Sequence, residues 1–75
     1  MSKLPVISGR EIVSVLTKIG FAIVGRKGSH VRLKRRRAEE VLIVIVPMHR
    51  ELAKGTLRSI LKQANLTAED LLRLL

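Results

Sequence analysis

Residues 28–47 read Gly28-Ser29-His30-Val31-Arg32-Leu33-Lys34-Arg35-Arg36-Arg37-Ala38-Glu39-Glu40-Val41-Leu42-Ile43-Val44-Ile45-Val46-Pro47, and the alternation in their first half decides the fold. Successive side chains of a β-strand point to opposite faces of a sheet. His30, Arg32, Lys34 and Arg36 therefore form one row, with neighbours about 6 to 7 Å apart. Val31 and Leu33 fall on the other face. Lys27, Gly28 and Ser29 supply turn chemistry ahead of this strand, and Arg37 to Glu40 reads as a second short turn. Val41 to Val46 then forms a continuous apolar strand that Pro47 ends, because proline has no N–H to give to a ladder.

The flanks of this hairpin read as helical. Ser8 with Glu11 three residues later is a capping box, and Ile12, Val15, Leu16 and Ile19 recur at helical spacing, which predicts a helix from about Gly9 to Ile19. Gly20 is placed as a helix stop, and Phe21 to Val24 is an aliphatic and aromatic run suited to a first strand. Beyond a loop holding His49 and Glu51, Leu57, Ile60, Leu61 and Ala64 mark a second helix ending near Asn65. Thr67 and Asp70 form a second capping box, for a short terminal helix. The fold class expected is α+β: helix, three-stranded antiparallel sheet, helix, and a short C-terminal helix. At 75 residues, residues 1–75 read as a single domain whose helices cover one face of the sheet and leave the other open.

Charge is distributed unevenly. Seven of the fifteen Lys and Arg residues lie between Arg26 and Arg37, a stretch with no acid and one histidine. Solvated sheet faces usually mix both signs. A formal net charge of +9 favours an anionic partner, nucleic acid first, because Lys and Arg that neutralise phosphates release condensed counterions. The chain has no cysteine, so no disulfide or thiolate metal site is available, and a reducing, cytoplasmic setting is expected. No apolar run approaches the roughly 18 to 20 residues needed to span a bilayer.

Gly28-Ser29-His30 opening the second strand, then Pro47-Met48-His49, then Glu51, Leu52, Gly55, Thr56, Leu57, Ile60 and Leu61, resemble the HicA toxins. The resemblance covers nearly the whole chain. It implies a double-stranded-RNA-binding-domain-like fold, an mRNA interferase activity and neutralisation by a HicB-type antitoxin. It also implies that His30 is the catalytic residue, that Gly28 and Ser29 form the turn presenting it, and that His49 is a second recurring histidine of less defined role. This chain departs from the resemblance in its third strand, which is apolar on both faces.

Taken by their chemistry, Arg26, Lys27, Gly28, Ser29, Arg32, Lys34 and Arg36 are the expected RNA-binding residues around His30. An imidazole can take a proton from a ribose 2′-hydroxyl, and cations beside it can stabilise charge gathering on the phosphate. Gly55 and Thr56, at the start of the second helix, are weaker candidates for holding a phosphate on free backbone N–H groups. The six acids, Glu11, Glu39, Glu40, Glu51, Glu69 and Asp70, are scattered. No metal or other cofactor is therefore expected, and two histidines without a third ligand fall short of a zinc site.

Competing readings use the same residues. One is a solvated sheet face with a turn histidine that only bonds backbone; another is a non-catalytic RNA-binding module. With Phe21 as the sole aromatic residue, stacking of single-stranded bases is disfavoured. A DNA-binding regulator is disfavoured too, because the charge lies on a strand and not on a recognition helix. The doubly apolar strand Val41 to Val46 predicts an exposed strip. Either the antitoxin or a second copy of this chain covers it, or the C-terminal residues Leu71, Leu72, Leu74 and Leu75 fold over it.

Overall fold

The computed structural model describes residues 3–75. Its elements are α1 (Gly9–Lys18), β1 (Ala22–Lys27), β2 (His30–Arg37), β3 (Glu40–Pro47), α2 (Lys54–Gln63) and α3 (Ala68–Leu74). The three strands form one antiparallel sheet in the order β1-β2-β3. The arrangement is the α+β, double-stranded-RNA-binding-domain-like fold that the sequence predicts.

Both capping boxes form. Ser8 Oγ accepts from Glu11 N while Glu11 Oε1 accepts from Ser8 N, each at 3.0 Å. Thr67 and Asp70 repeat the exchange at the start of α3. Asn65 ends the second helical segment with a positive φ of 59°, a conformation asparagine tolerates better than most residues.

Side-chain parity divides the sheet. Val31, Leu33, Val44 and Val46 are fully buried against Ile12, Val15 and Leu16 of α1 and Leu57, Ile60 and Leu61 of α2. Fully burying each such side chain stabilises the fold by about 1.5 to 3 kcal/mol. Leu71 of α3 joins the same core, whereas Leu72 and Leu75 face solvent. The C-terminal helix therefore packs on the helical side. Val41, Ile43 and Ile45 stay 43–47% exposed, so the alternative in which the C-terminal leucines fold over the apolar strip is overturned.

β1 differs most from expectation. Phe21 precedes the strand and is buried, and pairing continues past Val24 to Lys27 because the two-residue turn Gly28-Ser29 joins Lys27 directly to His30. Gly28 has a positive φ of 58° and Ser29 does not, the pattern of a type II′ hairpin turn.

Backbone bonds stitch one end of the sheet to α1. Met48 N donates to Ser29 O at 2.7 Å, Gly9 N to His49 O at 2.9 Å, and Leu52 N to Ile7 O at 2.9 Å. Gly9 permits this approach, because an added Cβ would strike the Pro47 carbonyl oxygen and lie 2.9 Å from Met48 Cα. At the outer edge of β3, Gln63 Oε1 accepts from Ile45 N at 3.2 Å, occupying one group of an otherwise unpaired strand edge.

Two stability predictions follow from these contacts. Gly9→Ala forces α1 away from the 47–49 loop and should cost on the order of 3 kcal/mol, read as a lower urea midpoint; an unchanged midpoint contradicts the close approach. The second concerns acid. The capping bonds from Ser8 hold the Glu11 carboxyl below its ordinary 4.5, and those from Thr67 hold Asp70 below its ordinary 3.8. A depressed folded-state value adds stability that is complete above the ordinary carboxylate range and is lost as pH falls through the folded value. Unfolding followed between pH 7 and pH 2 should show this loss, and Glu11→Gln with Asp70→Asn, which remove the titrating carboxyls, should flatten it.

Candidate nucleic-acid interface

The open face of the sheet is a grid fixed by register. Cross-strand partners share a face, and the partners here are Lys27, His30 and Pro47 in one rank, Gly25, Arg32 and Ile45 in the next, then Ala22, Lys34 and Ile43, then Arg36 and Val41. His30, Arg32, Lys34 and Arg36 are all exposed along the middle of this grid. The cationic row thus runs up β2 with the apolar row of β3 directly beside it.

A β-bulge completes the grid. The register shifts between Ile23 and Gly25, so Ile23 lies opposite buried Leu33 while Gly25 lies opposite exposed Arg32. Were Val24 an ordinary ladder residue and not a bulge, strict alternation along β1 would turn Gly25 and Lys27 toward the helices. With it, Lys27 stands opposite His30. Gly25 has no side chain, and a Cβ there would meet nothing within 4 Å. The result is a concavity of about 850 Å³ walled by the Gly25–His30 turn and floored by Arg32 and Ile45.

The predicted residues separate into three groups. Arg26, Lys27, Gly28, Ser29, His30 and Arg32 all line the concavity. Lys34 and Arg36 continue the row beyond it, both exposed. Arg26 is opposite Val31, so it belongs to the covered-face parity, yet at the strand end its side chain remains exposed and reaches the concavity wall. His49 is exposed but does not line this concavity; its carbonyl receives Gly9 N, a bond that anchors the loop. Gly55 and Thr56 lie in the first turn of α2, whose N-cap Ala53 offers no capping side chain, and they too stand outside the concavity.

Electrostatically the face is uncompensated. Among the described residues the ion pair present is Arg73 with Asp70, at 3.2 Å, so none of the cations between Arg26 and Arg37 is paired with a carboxylate. Arg35, on the covered-face parity opposite Leu42, lays its side chain over Gly20, where an added Cβ would lie 3.3 Å from Nε. Neither histidine ring takes part in the side-chain hydrogen bonds of the described residues. The reading of His30 as a turn histidine bonded to backbone lacks that bond. Among the described residues no three His, Asp or Glu side chains gather into a metal-ligand set.

Sequence reasoning missed Gly25, Val24 and Ile45 as parts of this site. A glycine inside a strand pattern is a signal for a bulge or for a close backbone approach, and Gly25 carried it.

Fold and face together define a small α+β domain with a cationic, partly apolar sheet surface around an accessible histidine. A protein-family model described as HicA toxin of bacterial toxin-antitoxin matches residues 9–66, and the chain belongs to that family. Comparison with curated proteins gives no match. Among the described residues no helix is long and apolar enough to cross a membrane.

Proposed function

We propose that residues 1–75 act as one HicA-like domain that cleaves mRNA in the cytoplasm, with His30 as the catalytic residue and no metal. The observation that carries this reading is the exposed His30 ring set in an acid-free concavity between Lys27 and Arg32. In the reaction, a nitrogen of the His30 imidazole takes the proton of a ribose 2′-hydroxyl. The 2′-oxygen attacks the adjacent phosphorus, the bond to the 5′-oxygen breaks, and that oxygen takes up a proton. The products are a 2′,3′-cyclic phosphate and a free 5′-hydroxyl. Arg32 and Lys27 stabilise the extra negative charge on the phosphate oxygens, while Arg26, Lys34 and Arg36 hold flanking phosphates and Gly28 and Ser29 shape the turn.

One observation favours a second reading. Among the described residues no carboxylate or carbonyl orients the His30 ring, and an unoriented imidazole is a weak base catalyst, which suits a non-catalytic RNA-binding module. A single experiment separates the two. Purified protein should cleave RNA in EDTA, His30→Ala should lower the rate by at least about 100-fold while keeping RNA affinity, and a substrate lacking the scissile 2′-hydroxyl should survive intact. Cutting of that deoxy substrate removes the internal-nucleophile mechanism; no cutting by the unmodified protein leaves the binding module.

The same face also suits the antitoxin. Val41, Ile43 and Ile45 lie beside Arg36, Lys34 and Arg32, so a covering surface must be both apolar and acidic. A second copy of this chain, itself at +9, would set cation against cation. A HicB-type antitoxin with acidic residues flanking an apolar patch fits, and by lying there it would also block His30. Ile43→Lys places a charge in that contact and should weaken antitoxin binding by at least about 100-fold, measured by titration calorimetry. Unchanged affinity, or a wild-type homodimer that Ile43→Lys dissociates, rejects this assignment.

A further inference from the structure

A second basic surface lies on the helical side, away from the sheet face that carries His30. Lys54, Arg58 and Lys62 recur every four residues along α2, all exposed. Residues so spaced on a helix are about 6 Å apart along its axis. They line a groove of about 930 Å³, together with Lys3 across from α2 and an apolar floor that includes Leu61 and Leu66. No Asp or Glu lines it. The first turn of α3 beside it carries Asp70, whose oxygens accept from Thr67 N and Arg73, and exposed Glu69, which does not line the groove. None of the four groove cations is in an ion pair among the described residues.

Four like charges brought around one groove repel one another, and a bound polyanion relieves that repulsion. Their pitch along α2 is close to that of the His30 row on β2, so both surfaces suit the same repeating charge. The groove is far larger than one phosphate, and without an aromatic side chain it offers no stacking platform for bases. Its chemistry therefore addresses a backbone and not a base sequence.

We propose that this groove holds a second stretch of phosphodiester backbone from the same RNA, a claim that rests on the RNA reading of the sheet face. The two surfaces are on opposite sides of the sheet in a molecule of 31 × 29 × 18 Å. One strand reaches both only by passing round an edge. Long RNA engages both surfaces, and an oligonucleotide of a few residues engages the sheet face alone.

The test combines Lys54→Gln, Arg58→Gln and Lys62→Gln in the full chain. Binding is measured in a His30→Ala background against salt concentration, and cleavage is measured with His30 intact. For a single-stranded RNA of about 30 nucleotides, the slope of log affinity against log salt should become shallower by about 2, from three lost phosphate contacts. Affinity for that RNA should fall by about tenfold or more near 0.1 M salt. Cleavage of a trinucleotide should be unchanged, and Arg10→Gln with Lys18→Gln, outside the groove, should leave the long-RNA slope as it was. Wild-type slope and affinity in the triple variant overturn the proposal. So does an equal loss with the trinucleotide, which marks a general charge effect, or a loss confined to antitoxin binding, which marks a protein-docking groove. Failure of the underlying RNA reading looks different: the unmodified protein neither binds nor cuts RNA of any length.

Discussion

Val31 and Leu33 constrain every other part of this protein, because a strand has only two faces and these two side chains are fully buried on one of them. Their partners across the register, Val46 and Val44, are buried as completely. Sliding β2 by one residue would expose Val31 and Leu33 and turn cations inward beside Val44 and Val46 instead. The lost burial alone is on the order of 3 to 6 kcal/mol, a large share of the whole stability, on the order of 4 to 11 kcal/mol, of a domain this size. The outward direction of His30, Arg32, Lys34 and Arg36 is therefore a consequence of core packing. The site needs no separate device to aim it.

Much of this was legible in the sequence, and the reason is periodicity. The capping residues Ser8, Glu11, Thr67 and Asp70, the period-two strand from His30, and the helical spacing of Ile12, Val15 and Leu16 are local patterns whose outcome depends on few distant contacts. The exposed strip of β3 was legible for the same reason: six consecutive apolar residues cannot all face a core on one side. What covers the strip was not legible. The C-terminal leucines carry no sign of which surface they meet, and only the packing of Leu71 into the helical core separates them from Val41, Ile43 and Ile45.

The features that remained hidden are those made by two distant segments meeting. Gly9 reads as an ordinary first residue of a helix, and its need to be glycine appears only when the Pro47 carbonyl arrives beside it. Val24 reads as one more strand residue, yet as a bulge it reverses the parity of Gly25 and Lys27 and sets Lys27 in place of Arg26 opposite His30. His49 shows the converse. Its residue type drew attention to the side chain, whereas the structure uses its carbonyl, which ties the loop after β3 to α1.

The composition of the open face imposes a conflict on any free molecule of this protein. Ile43 and Ile45 favour removal from water, but the adjacent Lys34 and Arg32 resist it unless an anion comes with the covering surface. Water alone satisfies only the cations, a phosphate backbone alone leaves the isoleucines wet, and another copy of the chain repels. An acidic, apolar protein surface satisfies both rows at once. On the function proposed above, a protein inhibitor at this face competes with RNA for the same cations while gaining hydrophobic burial that RNA does not offer. The doubly apolar β3 strand, of no use to the proposed phosphodiester chemistry, then has a physical role in restraining it.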